Sequence, residues 1–295
     1  PRISAEKKAW ILKTFLGFLS GLFVYLLCTP RNYHLFTWIC LIPFFYACFL
    51  PDNLISTKKR FITGMITGFF MHVFIFYWIG TSLMHFKGFT GSPLQLLSLL
   101  GLFLFATLSG TFYGAVAVSL PSIKTFFPKV WGLITAALIT FLEFVFPHIF
   151  PWHIGCGQTS FLPVFQLASL FGIYGITFLA VFINATLFDC MQSARSKTSF
   201  PKWGVIISIA ALTTTLYWGS NRVQMIEDKI KSSDKIQVAM IQSRTRTKHY
   251  PNLMQLSKQA LSDGAELLIW PESSLGKKTF NEKNLLEIHK MVKRF

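Results

Sequence analysis

Negative charge is what this sequence has least of. Its 295 residues hold 12 Asp and Glu against 28 Lys and Arg, a formal net charge of +16. Charged residues make up 14% of the chain, where an average soluble domain carries roughly 25%. So few charges cannot cover a water-facing surface of this size, which excludes an ordinary soluble domain. A hydrophobic content of 52%, with 32 Phe, excludes disorder. Nor does +16 read as a nucleic-acid footprint, because a basic groove needs clustered charge on a soluble face. No nucleic-acid partner is expected.

Cofactor motifs are also missing. The five cysteines (Cys28, Cys40, Cys48, Cys156, Cys190) show no C-x-x-C or finger spacing. There is no P-loop, no G-x-G-x-x-G and no zinc constellation among the seven histidines. No metal or other cofactor is expected. All five cysteines read as apolar packing, with Cys156 the one to doubt. Cys156 falls in a loop and is the first suspect should this chain alone show activity.

What the sequence has instead is long apolar runs. Seven approach the roughly 20 residues needed to cross a membrane: Trp10–Cys28, Tyr33–Leu50, Phe61–Met84, Leu94–Leu120, Val130–Phe150, Leu162–Phe188 and Trp203–Gly219. Backbone groups cannot go unpaired in lipid, so these runs predict helices. Trp10–Cys28 lacks a cleavage site of signal-peptide type. Eleven basic residues fall on one side of the runs: Arg2, Lys7, Lys8, Lys58, Lys59, Arg60, Lys124, Lys129, Arg195, Lys197 and Lys202. Two, Arg31 and Lys87, fall on the other. Basic loops stay cytoplasmic, so the N-terminus is expected inside and everything after Gly219 outside.

The chain changes character near residue 220. Residues 221–295 contain 14 of the 28 basic and 8 of the 12 acidic side chains. We expect a membrane domain over 1–220, a polar helix or linker over 221–235, and the start of an α/β domain over 236–295. Ile236–Gln242 and Glu266–Pro271 have strand length, Leu253–Ser262 has helical spacing, and Asn284–Val292 opens a second helix. Strand, helix, strand at this spacing predicts parallel pairing. Two strands and two helices do not close a core, so the chain is expected to stop inside that domain.

Three features carry chemistry. Glu143 is a carboxylate inside the fifth run, where burial is costly; it is either functional or a structural hydrogen-bonding group. Pro147–Phe161, with Trp152 and Gln158, breaks the helical pattern and is either a lipid-facing entry or an anchoring turn. Leu267-Leu268-Ile269-Trp270-Pro271-Glu272-Ser273 delivers a carboxylate at the end of an apolar strand, where catalytic groups of α/β layers collect. Desolvation by apolar neighbours would make such a glutamate a base near neutral pH; the alternative reading is a surface glutamate in a turn.

Val238–Gln242 followed by Leu-Ile-Trp270-Pro271-Glu272-Ser273 resembles the opening of a nitrilase-type (αββα) hydrolase domain. The membrane half resembles the apolipoprotein N-acyltransferase family: Gly64 and Gly68, then Trp78-Ile79 and Gly88; Glu143, then Pro151-Trp152 and Gly155…Gln158; then Gln166…Gly172-Ile-Tyr-Gly175…Asn184. Phe146 stands where that family often has arginine, and Ser243–Tyr250 lacks the tryptophan usual there. The resemblance implies an inner-membrane, multi-pass enzyme with a periplasmic catalytic domain. It would take an acyl chain from a phospholipid and pass it to the N-terminal amine of a diacylglyceryl-cysteine lipoprotein. It implies Glu272 as proton acceptor beside a lysine and a nucleophilic cysteine. Neither of those has a match in this chain; Lys277 and Lys278 follow Glu272 too closely. The fragment alone is expected to be inactive, and the protein monomeric. A transporter, or an assembly factor without catalysis, is the competing reading.

Overall fold

The computed structural model describes residues 5–29, 33–50, 56–80, 92–147, 150–196, 199–242, 249–272, 274 and 282–292. Arg2, Arg31, Lys87, Gly88, Lys197, Arg244, Arg246, Lys248, Ser273, Lys277 and Lys278 lie outside the described residues, as does the end of the third run beyond Gly80. The chain forms two compact units, Pro1–Ile226 and Glu227–Phe295.

The first unit is helical. In order come α1 (Ala5–Leu27), a 3-10 helix (His34–Trp38), α2 (Ile42–Phe49), α3 (Thr57–Ile75), α4 (Ser92–Phe126) and α5 (Trp131–Val145). A second 3-10 helix (Ile154–Gln158), α6 (Leu162–Phe165), α7 (Ala168–Ser196) and α8 (Lys202–Ser232) follow. Lys7–Leu27, Leu96–Phe126 and Ala168–Ser196 are long and apolar enough to cross a membrane; His34–Phe49 and Trp131–Val145 are apolar but shorter. Helices occupy all seven apolar runs, with boundaries that differ from the sequence expectation. The expected linker over 221–235 is mostly helix, because α8 continues without a break to Ser232.

The run at Tyr33–Leu50 is not one continuous helix. It breaks between the 3-10 helix and α2, and the break is bridged by side chains. Asn184 of α7 accepts the Leu41 N–H at 2.8 Å and donates to the carbonyls of Thr37 at 2.9 Å and Ala180 at 2.8 Å. Ser20 of α1 accepts the Phe44 N–H at 2.9 Å. An unpaired backbone group in hydrocarbon costs several kcal/mol, so these contacts are what make the interruption tolerable. A second break lies at Gly172 in α7, whose φ of 63° lies in a region that side chains with a Cβ rarely adopt.

Glycines set how close the helices lie. Gly17 faces Thr67 and Gly21 faces Phe70 and Met71, so α1 and α3 run in the same direction. Gly64 lies against Tyr113 and Ala117, and Gly68 against Gly110, so α4 runs opposite to α3. Small residues allow such close backbone approach in membranes. The register brings Lys7 and Lys8, Lys58–Arg60 and Lys124 to one end of the unit. There Lys124 Nζ lies 2.7 Å from Asp189 Oδ1 and 3.1 Å from Gln192 Oε1. It also sits over the rings of Trp131, Phe188 and Phe49, at 4.3, 4.8 and 4.9 Å. Trp131 Nε1 donates to the other Asp189 oxygen at 2.6 Å.

The second unit holds β1 (Val238–Met240), α9 (His249–Ser262), β2 (Leu267–Ile269) and α10 (Glu282–Val292). The strands pair in parallel, Val238 with Leu267 and Met240 with Ile269, as the spacing predicts. Met254, Leu261 and Met291 form its small core, with Tyr250, Leu268, Trp270 and Ile288 packed on them. The opposite face of the strands, Val238, Met240, Leu267 and Ile269, is exposed.

Candidate functional site

The first candidate region lies at the end of the membrane unit opposite the lysines. Glu143 is in the last turn of α5 and only 4% exposed. Its Oε1 accepts the Ile154 N–H at 3.2 Å, and its Oε2 accepts from His153 Nδ1 at 3.2 Å. The carboxylate therefore fastens the start of the second 3-10 helix to α5. Gly155 N–H donates to Thr177 Oγ1 at 3.0 Å, which ties the same turn to α7. Gln158 is fully buried and donates from Nε2 to the His34 carbonyl at 2.7 Å, joining the two 3-10 helices. Glu143 and Gln158 are thus both buried and both bridge separate segments.

Trp152 stands differently. It is half-buried and lines a cavity of about 470 Å³ with Tyr25, Cys28, Phe76, Trp78 and Phe150. Trp78 and Phe150 meet edge to face, with ring centroids 5.4 Å apart. The walls come from the C-terminal ends of α1 and α3 and from the residues that follow α5. A largely apolar cleft rimmed by tryptophan suits a lipid tail at the depth of the headgroups. Cys156 is partly buried in the same turn. Burial pushes its thiol above the ordinary range; the backbone at His153 lowers it and the charge of Glu143 raises it further. That is the reverse of an activated nucleophile.

The second candidate region is the C-terminal end of the strand pair in the second unit. Trp270 Nε1 donates to Ser257 Oγ at 2.9 Å, and that hydroxyl donates to the Leu253 carbonyl at 2.8 Å. The indole so ties the end of β2 to α9. Pro271 follows the indole and ends the pairing, and Glu272 comes next, in a turn. Ile241 N–H donates to the Ile269 carbonyl at 2.9 Å, so the chain after β1 and the chain after β2 leave the same, C-terminal end of the parallel pair. Glu272 is exposed, so the described residues do not supply the desolvation that the sequence pattern suggested.

Sequence reasoning missed His153 as the partner of Glu143, Thr177 as the anchor of Gly155, and the Lys124–Asp189–Trp131 cluster. The pairs are 10, 22 and 58–65 residues apart, with no local pattern to signal them. No group of three or more His, Cys, Asp or Glu suited to a metal occurs among the described residues.

Comparison with known proteins bears on both regions. Residues 20–186 match the apolipoprotein N-acyltransferase N-terminal domain. An apolipoprotein N-acyltransferase of Geobacter metallireducens is 27% identical over 284 residues, covering 88% of this chain and 50% of that protein. One from Bdellovibrio bacteriovorus is 24% identical over 243 residues, covering 77% of this chain and 44% of that protein. An apolipoprotein N-acyltransferase 2 of Leptospira interrogans is 27% identical over 184 residues, 62% of this chain and 30% of that protein. The chain thus spans half or less of the length of these relatives. With the matched segment running from α1 through the Glu143 turn to Asn184, and with several apolar helices of membrane length, this chain is a multi-pass membrane protein that belongs to the apolipoprotein N-acyltransferase family.

Proposed function

We propose that the whole protein transfers an acyl chain from a membrane phospholipid to the N-terminal amine of a diacylglyceryl-cysteine lipoprotein, with Glu272 as proton acceptor. The observation that carries this is Glu272 just beyond the C-terminal end of a parallel strand pair, in one chain with the family's membrane domain. A cysteine thiol, supplied by a part of the protein outside this chain, gives its proton to Glu272 and attacks the phospholipid ester carbonyl. The tetrahedral oxyanion collapses to a thioester, and the lysophospholipid leaves as the alcohol by taking the proton held on Glu272, which is a base again. The lipoprotein amine then attacks the thioester, loses a proton to Glu272, and the thiol is restored. A lysine, also outside this chain, stabilises the oxyanion.

In this reading seven spans place the N-terminus in the cytoplasm and the second unit in the periplasm of a bacterial inner membrane. The cluster of basic residues at one end of the first unit supports that orientation. The cleft beside Trp152 receives the acyl chain. The exposed apolar face of β1 and β2 is covered by further layers of the catalytic domain, because an open face of that kind is not left to water. Glu272→Gln in the whole protein tests the reading. Mature lipoproteins are expected to keep two acyl chains instead of three, by mass spectrometry of their N-terminal peptides, with membrane insertion intact. Normal triacylation would overturn Glu272 as the base.

A further inference from the structure

We propose that a groove on the outer side of α3 binds an anionic phospholipid in the leaflet on the basic side of the protein. The groove measures about 420 Å³ and is lined by Thr14, Ile62, Met65, Ile66, Phe69 and Thr107, among others. Its origin is in the sequence. Gly17 lets α1 close on α3 at Thr67, and Gly64, Gly68 and Gly110 let α4 close on it from the other side. Two helices held that near leave α3 recessed between them. Its outward residues 62, 65, 66, 69 and 70 follow helical spacing and form the floor of a furrow. Phe18 of α1 and Phe103 of α4 flank it, with ring centroids 5.4 Å from Phe70 and 5.9 Å from Phe69.

From Ile62 to Phe70 the floor runs roughly 12 Å along the helix axis, most of one leaflet's share of a hydrocarbon core about 30 Å thick. One acyl chain fits that length and that chemistry. The charge says which lipid. Lys58 and Lys59 lie in the first turn of α3, just beyond the end of the furrow, and the register of α1 brings Lys7 and Lys8 to the same end. A headgroup with net negative charge meets the cationic first turn of α3 and the basic start of α1. A zwitterionic headgroup would have to place its ammonium among them. This site lies at the opposite end of the unit from the cleft beside Trp152 and does not depend on the acyl-transfer reading.

Native mass spectrometry of the protein purified in detergent tests it, with phosphatidylglycerol and phosphatidylcholine of matched chains as probes. Phosphatidylglycerol is expected to be retained in preference. Lys58→Gln with Lys59→Gln should weaken its retention by roughly fivefold for each charge removed, while Lys58→Arg with Lys59→Arg preserves it. Thr107→Phe, which fills the furrow, should reduce retention of both lipids. Equal retention of the two lipids by the unaltered protein would overturn the headgroup assignment. Undiminished retention in Thr107→Phe, with helical content unchanged, would overturn the groove. Should the glutamine variant not fold, these two outcomes still decide.

Discussion

The Glu143 carboxylate accepts the backbone N–H of Ile154 at 3.2 Å, so a charged side chain inside an apolar helix serves as the cap of a separate turn. Its other oxygen takes the His153 ring N–H. Glu143→Leu should leave that N–H buried without an acceptor and cost about 1–3 kcal/mol, while Glu143→Gln keeps an acceptor and should cost less. Thermal unfolding in detergent measures the difference. Equal loss in both variants would show that charge, rather than acceptance of the bond, matters.

Lys124 and Asp189 hold four segments of the bundle together, and each is about a quarter exposed. Asp189→Ala removes the acceptor of the Trp131 indole as well as the counter-ion, so it should destabilise by more than Asp189→Asn, which retains an acceptor for the indole. A double-mutant cycle of Lys124→Met with Asp189→Asn should give a coupling of roughly 0.5–3 kcal/mol, since the residues are in direct contact.

Two glycines give an internally controlled comparison. A Cβ on Gly64 would overlap the Tyr113 carbonyl, whereas one on Gly101 meets nothing within 4 Å. Gly64→Ala should force α3 and α4 apart and lower the unfolding temperature. Gly101→Ala should be neutral or stabilising, because alanine is favoured over glycine in a helix by about 1 kcal/mol.

Burial raises the Cys156 thiol pKa, so less thiolate is present at any given pH than for a free thiol. Maleimide labelling of Cys156 should be slow at neutral pH and still rising at pH values where an unhindered thiol has levelled off. A rate that reaches its plateau near neutrality would contradict this.

The helical membrane half, the side on which its charges collect and the parallel strand pair were legible in the sequence. Each depends on local periodicity or on residue type at helix ends. Runs of apolar residues in lipid have to become helices, and lysines have to leave the hydrocarbon, whichever neighbours they meet. Glu143 could be singled out as a carboxylate in an apolar run, and Trp152 and Gln158 as members of a loop that proline and glycine break out of the helical pattern.

The partners of those residues were not legible. Leu41 finds its acceptor on Asn184, 143 positions away, and Gln158 meets His34 across 124. Hydrogen bonds of that reach depend on helix register, which glycine contacts such as Gly64 against Tyr113 establish only when the helices pack. The sequence by itself determined that this chain belongs in a membrane and that its last quarter pairs two strands in parallel. Only the tertiary structure decided that the second run is broken, that Glu143 caps a turn, and that α3 lies at the floor of a furrow. Hydrophobicity acts residue by residue, whereas hydrogen-bond satisfaction and close packing are properties of segments brought together.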